Sequence, residues 1–287
     1  MSFIHKSIAD QIIWHGELDS TNNEAVRLAK QGAAEETIVA AKVQTGGHGR
    51  RGRNWVSEEG GAWFSIILRP NVSAEYIQRL SLVAALAASY AVNDWLDSPD
   101  ENPAAVKWPN DIVVGGKKIA GILLESSVSS ENVDYVVIGI GINALQKELP
   151  EEIRDTATSI AIIDGANGVE TAGIIDSFHK FFMRGYQAFI RSTASEEDAA
   201  FYWSAFKRTY RLSSATLDST VAITEGGETY TARALDVGDS GELIVELRDG
   251  AQKAVWAADV SLAYSESDSH CAQKTYNKGD SRCADKR

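Results

Sequence analysis

The spacing of hydrophobic residues along the chain predicts a series of strands with helices among them. Short β-branched or apolar runs indicate buried strands, and longer stretches with apolar residues every three or four positions indicate helices. The predicted strands are 37–43, 62–68, 105–108, 111–114, 119–125 and 135–142, with a tight hairpin at Gly115-Gly116. The predicted helices are 19–31, 73–96, 171–191 and 196–208. Because the strands arrive in runs, the pattern favours an α+β fold with a mixed sheet and packed helices.

The first predicted helix carries its own start signal. Thr21 and Glu24 have the spacing of a capping box, in which two side chains satisfy backbone N–H groups at a helix start. Ala25, Leu28 and Ala29 supply the apolar stripe of this helix. We therefore expect a packed helix with its N-terminus at the DSTN segment.

Beyond Tyr210 the sequence changes to short strands separated by turns. The β-rich stretches are 220–224, 228–237, 241–247 and 253–262, and EGG, GDSG and RDGA separate them. This spacing predicts a small β-barrel of SH3-like size. We divide the chain into a large domain at 1–209, a small β-domain at 210–264 and a tail at 265–287. The tail is polar and lacks periodicity, so we expect it to be disordered.

Composition indicates a globular protein without a membrane segment. Hydrophobic residues make up 44% and charged residues 24% of the 287 positions, as is usual for globular chains. No apolar run reaches the roughly 18–20 residues of a membrane helix, and the start lacks a signal-peptide core. Both cysteines, Cys271 and Cys283, lie in the tail, so we expect no disulfide in the folded body. These features predict a cytoplasmic location.

A cluster of glycines and arginines at 46–53 stands out in this acidic chain. The net charge of −12 argues against a nucleic-acid partner, which would require a basic footprint. The cluster contains Gly46, Gly47, Gly49, Gly52, Arg50, Arg51 and Arg53. Glycines let the backbone approach an anion, and guanidinium forks match phosphate oxygens in pairs. We interpret the segment as a loop that closes over a phosphate, with a solvated surface loop as the alternative.

The same segment formally matches the dinucleotide-binding pattern G-x-G-x-x-G, from Gly47 to Gly52. That pattern must open a helix whose N-terminus meets a pyrophosphate. Here it leads directly to the predicted strand 62–68, and the chain has no Walker sequence. A Rossmann fold is therefore not predicted.

Two further segments contain candidate ligand-binding residues. Lys107 lies in an otherwise apolar strand, where an unpaired buried ammonium would be costly, and Lys118 begins a later strand. The alternatives are a simple turn at 109–110 and an ordinary edge-strand charge at Lys118. Gly139 and Gly141 either let a ligand approach the backbone or serve packing alone. The residues themselves leave these alternatives open.

Five motifs, in this order, resemble the biotin protein ligase family over about residues 15–262. They are DSTN (19–22), VQTGGHGRRGRNW (43–55), KWPNDI (107–112), KKIAGILLE (117–125) and GIGIN (139–143). The resemblance implies the mixed sheet shared by class II aminoacyl-tRNA synthetases and biotin ligases, followed by an SH3-like barrel. Since DSTN begins at Asp19, it also indicates the monofunctional form, without the helix-turn-helix of repressor members.

The resemblance implies a two-step reaction. Biotin and ATP, with Mg²⁺, would give biotinyl-AMP and pyrophosphate, and biotin would then pass to one lysine of a biotin carboxyl carrier domain. A homodimer is compatible with the family, and neither a nucleic-acid nor a membrane partner is expected. The alternatives are a lipoate ligase or octanoyl transferase of the same fold group, a non-catalytic biotin-binding regulator, and an RNA-binding module using the basic loop.

The resemblance also implies residue roles. The catalytic residues would be Lys107, Lys118 and Arg50. Biotin would be bound by Ser20, Thr21, Asn22, Gln44, Gly47, His48, Gly49, Arg50, Lys118 and Gly121. ATP would be bound by Arg50, Arg53, Trp55, Lys107, Asn110, Asp111 and Asn143, with Asp111 at the metal and Trp55 against adenine. His48 departs from the family, which usually has arginine there, and histidine is mostly neutral near pH 7. We expect this change to affect retention of the adenylate.

Overall fold

The computed structural model describes residue 8 and residues 12–129, 132–165, 167–256 and 258–262. The chain forms two compact units. Among the described residues, one unit comprises those up to 215 together with 237–242, and the other comprises those of 216–236 and 243–262. The predicted tail, including Cys271 and Cys283, lies outside the described residues.

The first unit is built on a mixed seven-stranded sheet, which confirms the predicted fold class. Its strands are β1 (Ile12–Leu18), β2 (Ile38–Gln44), β3 (Ala62–Leu68), β4 (Ala105–Lys107), β5 (Asp111–Val114), β6 (Lys117–Ser129) and β7 (Asn132–Ile142). Their order is β1-β2-β3-β7-β6-β5-β4. Only the β1–β2 pair is parallel, and the others are antiparallel. The glycines of the β5–β6 hairpin, Gly115 and Gly116, have φ values of 56° and 79°, as the predicted turn requires.

Helices pack on both faces of this sheet. They are α1 (Thr21–Lys30), α2 (Ile77–Asn93), α3 (Ile160–Asp164), α4 (Thr171–Ser192), α5 (Glu196–Asp198) and α6 (Ser204–Leu212), with a π-helical turn at Ala199–Trp203. On one face α2 packs against α4, and Phe64 meets Phe178 with ring centroids 5.2 Å apart. On the other face Ala25 and Ala29 pack with Ile67. Because α1 covers only part of that face, the rest is left for a site.

Sequence reasoning missed β1 and α3, and it placed the start of α1 correctly at DSTN but was wrong about its capping box. Most side chains of β1 are exposed or half-buried, so this edge strand shows no apolar alternation. The N-cap of α1 is Ser20, without a side-chain capping bond, and Glu24 binds Arg27 at 2.6 Å. Gln44 Oε1 accepts the N–H of Thr21 at 2.7 Å. A distant side chain therefore takes the place of the predicted capping box.

The segment 237–242 belongs to the first unit through contacts with buried residues there. Trp108 Nε1 donates to Gly241 O at 3.2 Å, and Arg79 Nε donates to Asp239 O. The Arg79 guanidinium lies 4.6 Å from the ring centroid of Trp203, and its burial lowers the pKa of Arg79. The ring contact and hydrogen bond offset part of the cost of burying this charge.

The second unit contains a five-stranded sheet in the order β11-β10-β9-β8-β12. Its strands are β8 (Thr220–Glu225), β9 (Glu228–Val237), β10 (Leu243–Glu246), β11 (Gln252–Val255) and β12 (Asp259–Leu262). The sequence predicts one strand over 253–262, but the structure divides this stretch between β11 and β12. Val221, Ile223 and Val245 are fully buried and form part of this unit's core.

Candidate functional site

Three glycines form the floor of the sheet face that α1 leaves uncovered. Gly141 of β7 pairs with Trp63 of β3 and with Gly121 of β6, and Gly139 lies two residues before it. Residues paired across antiparallel strands point to the same face, as do residues two apart. Gly121, Gly139 and Gly141 therefore form one surface, which we call the glycine floor.

Trp55 lies on this floor. A Cβ atom added to Gly141 would be 2.6 Å from Trp55 Nε1, and one added to Gly121 would be 3.1 Å from Trp55 Cζ3. The Nε1 atom is buried and has no hydrogen-bond partner among the described residues. Gly139 similarly accommodates the side chain of Asn22. In this structure the glycines thus admit protein side chains close to the backbone.

Lys118 projects next to the Trp55 ring. Its Nζ atom is 2.6 Å from Asp111 Oδ1 and 4.9 Å from the Trp55 ring centroid. The side chain is 34% exposed, so this ammonium is accessible to a bound anion. Asp111 pairs with Gly121 across β5 and β6, which brings the ion pair to the edge of the glycine floor.

Lys107 lies on the next strand, beside the ion pair. It pairs with Asp111 between β4 and β5 and is half-buried. Within the part of the chain that the structure describes, its ammonium has no hydrogen bond or ion pair. The turn that follows contains the cis Trp108–Pro109 bond and is held by Asn110, whose Nδ2 donates to Ile122 O at 2.6 Å. The anion that the sequence predicts for Lys107 would have to come from a ligand.

The arginine-rich segment forms a small hairpin beside these residues. Gly49 N donates to Arg53 O at 2.8 Å, and Trp55 N donates to Gly47 O at 2.9 Å. Arg51 has a φ of 58° at the turn, and both Arg51 and Arg53 are exposed. Arg50 NH1 donates to Asn110 Oδ1 at 3.3 Å, which connects the hairpin to the lysine-bearing strands.

His48 and Gly47 occupy different environments in this hairpin. His48 Nδ1 is 3.2 Å from Gly46 O and donates to it in the tautomer that carries the proton on Nδ1. Gly47 is buried, and a Cβ atom there would be 2.6 Å from Trp55 O. A side chain at position 47 would therefore displace the segment that carries Trp55.

A chain of hydrogen bonds crosses the other end of the glycine floor. Thr21 Oγ1 donates to Gln44 Oε1 at 3.1 Å, and Gln44 Nε2 donates to Ser57 Oγ at 2.8 Å. Ser65 Oγ is 2.8 Å from Thr21 Oγ1. We call this set, with Asn22 and Glu125, the polar chain. It connects α1 to the strand end that leads into the arginine hairpin.

Comparison with known proteins identifies the family. Residues 16–143 match the biotin/lipoate A/B protein ligase family, and 216–263 match the biotin protein ligase C-terminal domain. A Mycobacterium tuberculosis biotin–[acetyl-CoA-carboxylase] ligase is 31% identical and aligns over 89% of this chain and 94% of its own. The Bacillus subtilis bifunctional ligase/repressor BirA is 34% identical over 89% of this chain and 75% of its own. The chain belongs to the biotin protein ligase family.

A solved ligase with ligands shares this fold. The Aquifex aeolicus biotin protein ligase in complex with biotin and ATP superimposes with a TM-score of 0.70 and 30% identity, covering 89% of this chain and 99% of that one.

None of the helices among the described residues has the length and apolar character of a membrane span.

The structure brings most of the predicted site residues of this biotin protein ligase together. Trp55, Lys118, Asp111 and Gly121 meet at the floor, and Arg50 contacts Asn110. Thr21, Asn22 and Gln44 belong to the polar chain, and Ser20 is adjacent to it in sequence. All four residues are buried or half-buried. Asn143 is 6% exposed and its Nδ2 donates to Thr158 O at 2.9 Å, so its amide is committed to the backbone. The roles assigned to these residues remain predictions.

Sequence reasoning missed three polar residues of the site: Ser57, Ser65 and Glu125. Ser65 left a signal, because it is the one polar residue in the otherwise apolar strand AWFSIIL and is fully buried. Glu125 left none, since its partner Asn22 is 103 positions away. Their detection required the register of the sheet.

Substituting Gly141 by valine is expected to weaken biotin binding by about tenfold or more, because a branched side chain overpacks the floor beside Lys118, the proposed partner of the biotin carboxylate. Titration calorimetry with biotin measures the effect. Gly16→Val is the control, since Gly16 lies on an edge strand with open space around it. Unchanged biotin affinity in Gly141→Val would show that the floor is not part of the site.

Proposed function

We propose that this biotin protein ligase activates biotin with ATP and then transfers it to a lysine of a biotin carboxyl carrier domain. The observation that carries the proposal is the arrangement of Lys118, Asp111 and Trp55 on the glycine floor. A cation beside a bare stretch of backbone suits a ligand that carries a carboxylate and lies against the sheet, and the ring of Trp55 suits a second, aromatic ligand beside it. Family membership and the solved complex with biotin and ATP support this choice of ligand.

In the first step the biotin carboxylate attacks the α-phosphorus of ATP, and the bond to the pyrophosphate oxygen breaks. Lys118 would hold the carboxylate, which replaces Asp111 as the partner of the ammonium. Lys107, without a partner among the described residues, would offset charge on the phosphates. The protein supplies position and charge, and no protein nucleophile is required.

In the second step the amine of the acceptor lysine attacks the carbonyl carbon of biotinyl-AMP, and AMP leaves. Until the acceptor arrives, water must be kept from the mixed anhydride. The arginine hairpin would cover the adenylate, and the contact of Arg50 with Asn110 beside the lysine strands supports this role. Trp55, which lies at the end of this hairpin, would pack against adenine.

A magnesium ion would accompany the nucleotide. Among the described residues no three metal-binding side chains cluster, so a cage made only of protein ligands is not present there. Mg²⁺ usually retains waters and uses one or two carboxylates with substrate phosphates, a requirement that Asp111 fits. Asp111 would hold the ion, which would neutralise phosphate charge when bound.

A transfer assay tests the proposal. The protein is incubated with ATP, biotin and a carboxyl carrier domain, and biotin on the carrier is measured by mass spectrometry. A carrier with its target lysine changed to arginine is the control. Transfer of lipoate in preference to biotin would favour the lipoate ligase alternative, and biotin binding without transfer would favour a regulator.

Replacing Arg50 by glycine is expected to release biotinyl-AMP into solution, raising its free amount about tenfold, because the hairpin loses its contact with Asn110 and its charge on the adenylate. The measurement is chromatography of the reaction without acceptor. Arg50→Lys retains charge but not the planar fork and should release an intermediate amount. Wild-type retention in Arg50→Gly would contradict this role.

A further inference from the structure

We propose that Glu125 is a positioning residue for biotin: through Asn22 it fixes the direction of the hydrogen bonds that reach Thr21 and Gln44. The inference rests on the proposed function, because it takes these two side chains to meet biotin. Among the described residues Glu125 has no hydrogen bond or ion pair with Lys118 or Trp55, so it would act only through its bond to Asn22 and the polar chain.

Glu125 determines which way the Asn22 amide points. An ionised carboxylate only accepts hydrogen bonds, and Glu125 Oε2 accepts from Asn22 Nδ2 at 2.7 Å. The carbonyl end of the amide is therefore turned towards Ser65, whose Oγ lies 2.6 Å from Asn22 Oδ1. Asn22 is 3% exposed and packs closely on Gly139, so it can reverse its amide but hardly change its place.

The direction of the Asn22 amide passes to Thr21 through Ser65. The Ser65 hydroxyl has one proton and lies within bonding distance of both Asn22 Oδ1 and Thr21 Oγ1. With the amide as observed, Asn22 can accept that proton. With the amide reversed, Asn22 would donate to Ser65, and Ser65 would have to donate to Thr21.

Thr21 in turn is coupled to Gln44. Gln44 Oε1 accepts from both the backbone N–H and the hydroxyl of Thr21, at 2.7 and 3.1 Å. Its amide nitrogen is thereby turned to Ser57, at 2.8 Å. A reversed Asn22 would direct the Ser65 proton onto the Thr21 oxygen at all times, which occupies one of its two lone pairs and leaves fewer for a ligand. The urea ring of biotin has both N–H donors and a carbonyl acceptor, so its binding depends on these directions.

The test compares Glu125→Leu with Glu125→Gln. Leucine removes the acceptor and frees the Asn22 amide, so the dissociation constant and KM for biotin should rise about tenfold, while the KM for ATP stays unchanged. Glutamine can accept through its carbonyl oxygen but can also donate, so it fixes the Asn22 amide less strictly and should recover only part of the affinity, to within about threefold of the unmodified protein. Glu17→Leu, on an exposed part of the edge strand, is the control.

Ser65→Ala is the second variant, in case Glu125→Leu does not fold. It removes the hydroxyl that joins Asn22 to Thr21 and leaves a small side chain in its place. It should produce the same rise in the KM for biotin, with the KM for ATP unchanged. Unchanged biotin affinity in both variants, or equal rises in the two KM values, would overturn the inference. Absence of biotin binding by the unmodified protein would instead overturn the proposed function, and this inference with it.

Discussion

Replacing Lys118 by alanine is expected to lower the rate of biotin-dependent ATP activation by about a hundredfold or more. The ammonium lies 2.6 Å from Asp111 and 4.9 Å from the Trp55 ring centroid, at the centre of the candidate site. Its loss removes the cation proposed for the biotin carboxylate and leaves Asp111 without this partner. Groups placed for the transition state typically contribute factors of this size.

Lys117→Ala is the matched control for Lys118→Ala. Lys117 is adjacent in β6, but it is exposed and its Nζ donates to Arg154 O at 3.2 Å. Both variants remove one positive charge at the same hairpin, so a general effect of charge would appear in both. Comparable activity of the two variants would show that Lys118 has no specific role in the activation of biotin.

Lys107→Ala is expected to abolish measurable adenylation, a loss of about a hundredfold to a thousandfold in kcat, with little change in biotin affinity. The side chain is half-buried on β4, next to Asp111 in the sheet register. Its proposed partner is the phosphate group of ATP, so the loss should fall on the nucleotide half of the reaction. Single-turnover formation of biotinyl-AMP, together with a biotin titration, separates the two effects.

Lys42→Ala controls for the loss of a lysine from a strand of the same sheet, because Lys42 is exposed on β2. It should retain full activity. A Lys107→Ala variant that forms biotinyl-AMP at the unmodified rate would show that phosphate charge is offset by other groups. A large loss of biotin affinity in that variant would mean that Lys107 binds biotin and not the phosphates of ATP.

The sheet of the first unit could be predicted from the sequence because its strands are apolar runs with clear ends. The predicted limits of Ala62–Leu68 and Asp111–Val114 agree with β3 and β5. The edge strand β1 could not be found in this way, since only Ile12 among its residues is buried. An edge strand depends on backbone pairing with one neighbour, which leaves little trace in side-chain pattern.

The candidate site could be predicted only in part. The motifs indicated Lys118, Trp55 and Gly121, but Trp55 meets the other two from a segment far away in sequence, and no local pattern predicts that contact. The same holds for Asn22 and Glu125, which are joined at 2.7 Å across 103 positions. Sequence patterns report local periodicity, whereas this site also requires the pairing of β3 with β7, two strands that lie far apart in sequence.

The most direct test of the central claim is pyrophosphate exchange. Radiolabelled pyrophosphate is supplied with ATP, and label entering ATP reports reversible formation of an adenylate without any acceptor protein. We predict exchange that requires biotin, is not supported by lipoate and falls at least about a hundredfold in Lys118→Ala but not in Lys117→Ala. Absence of exchange with biotin, or exchange supported by lipoate alone, would contradict the account.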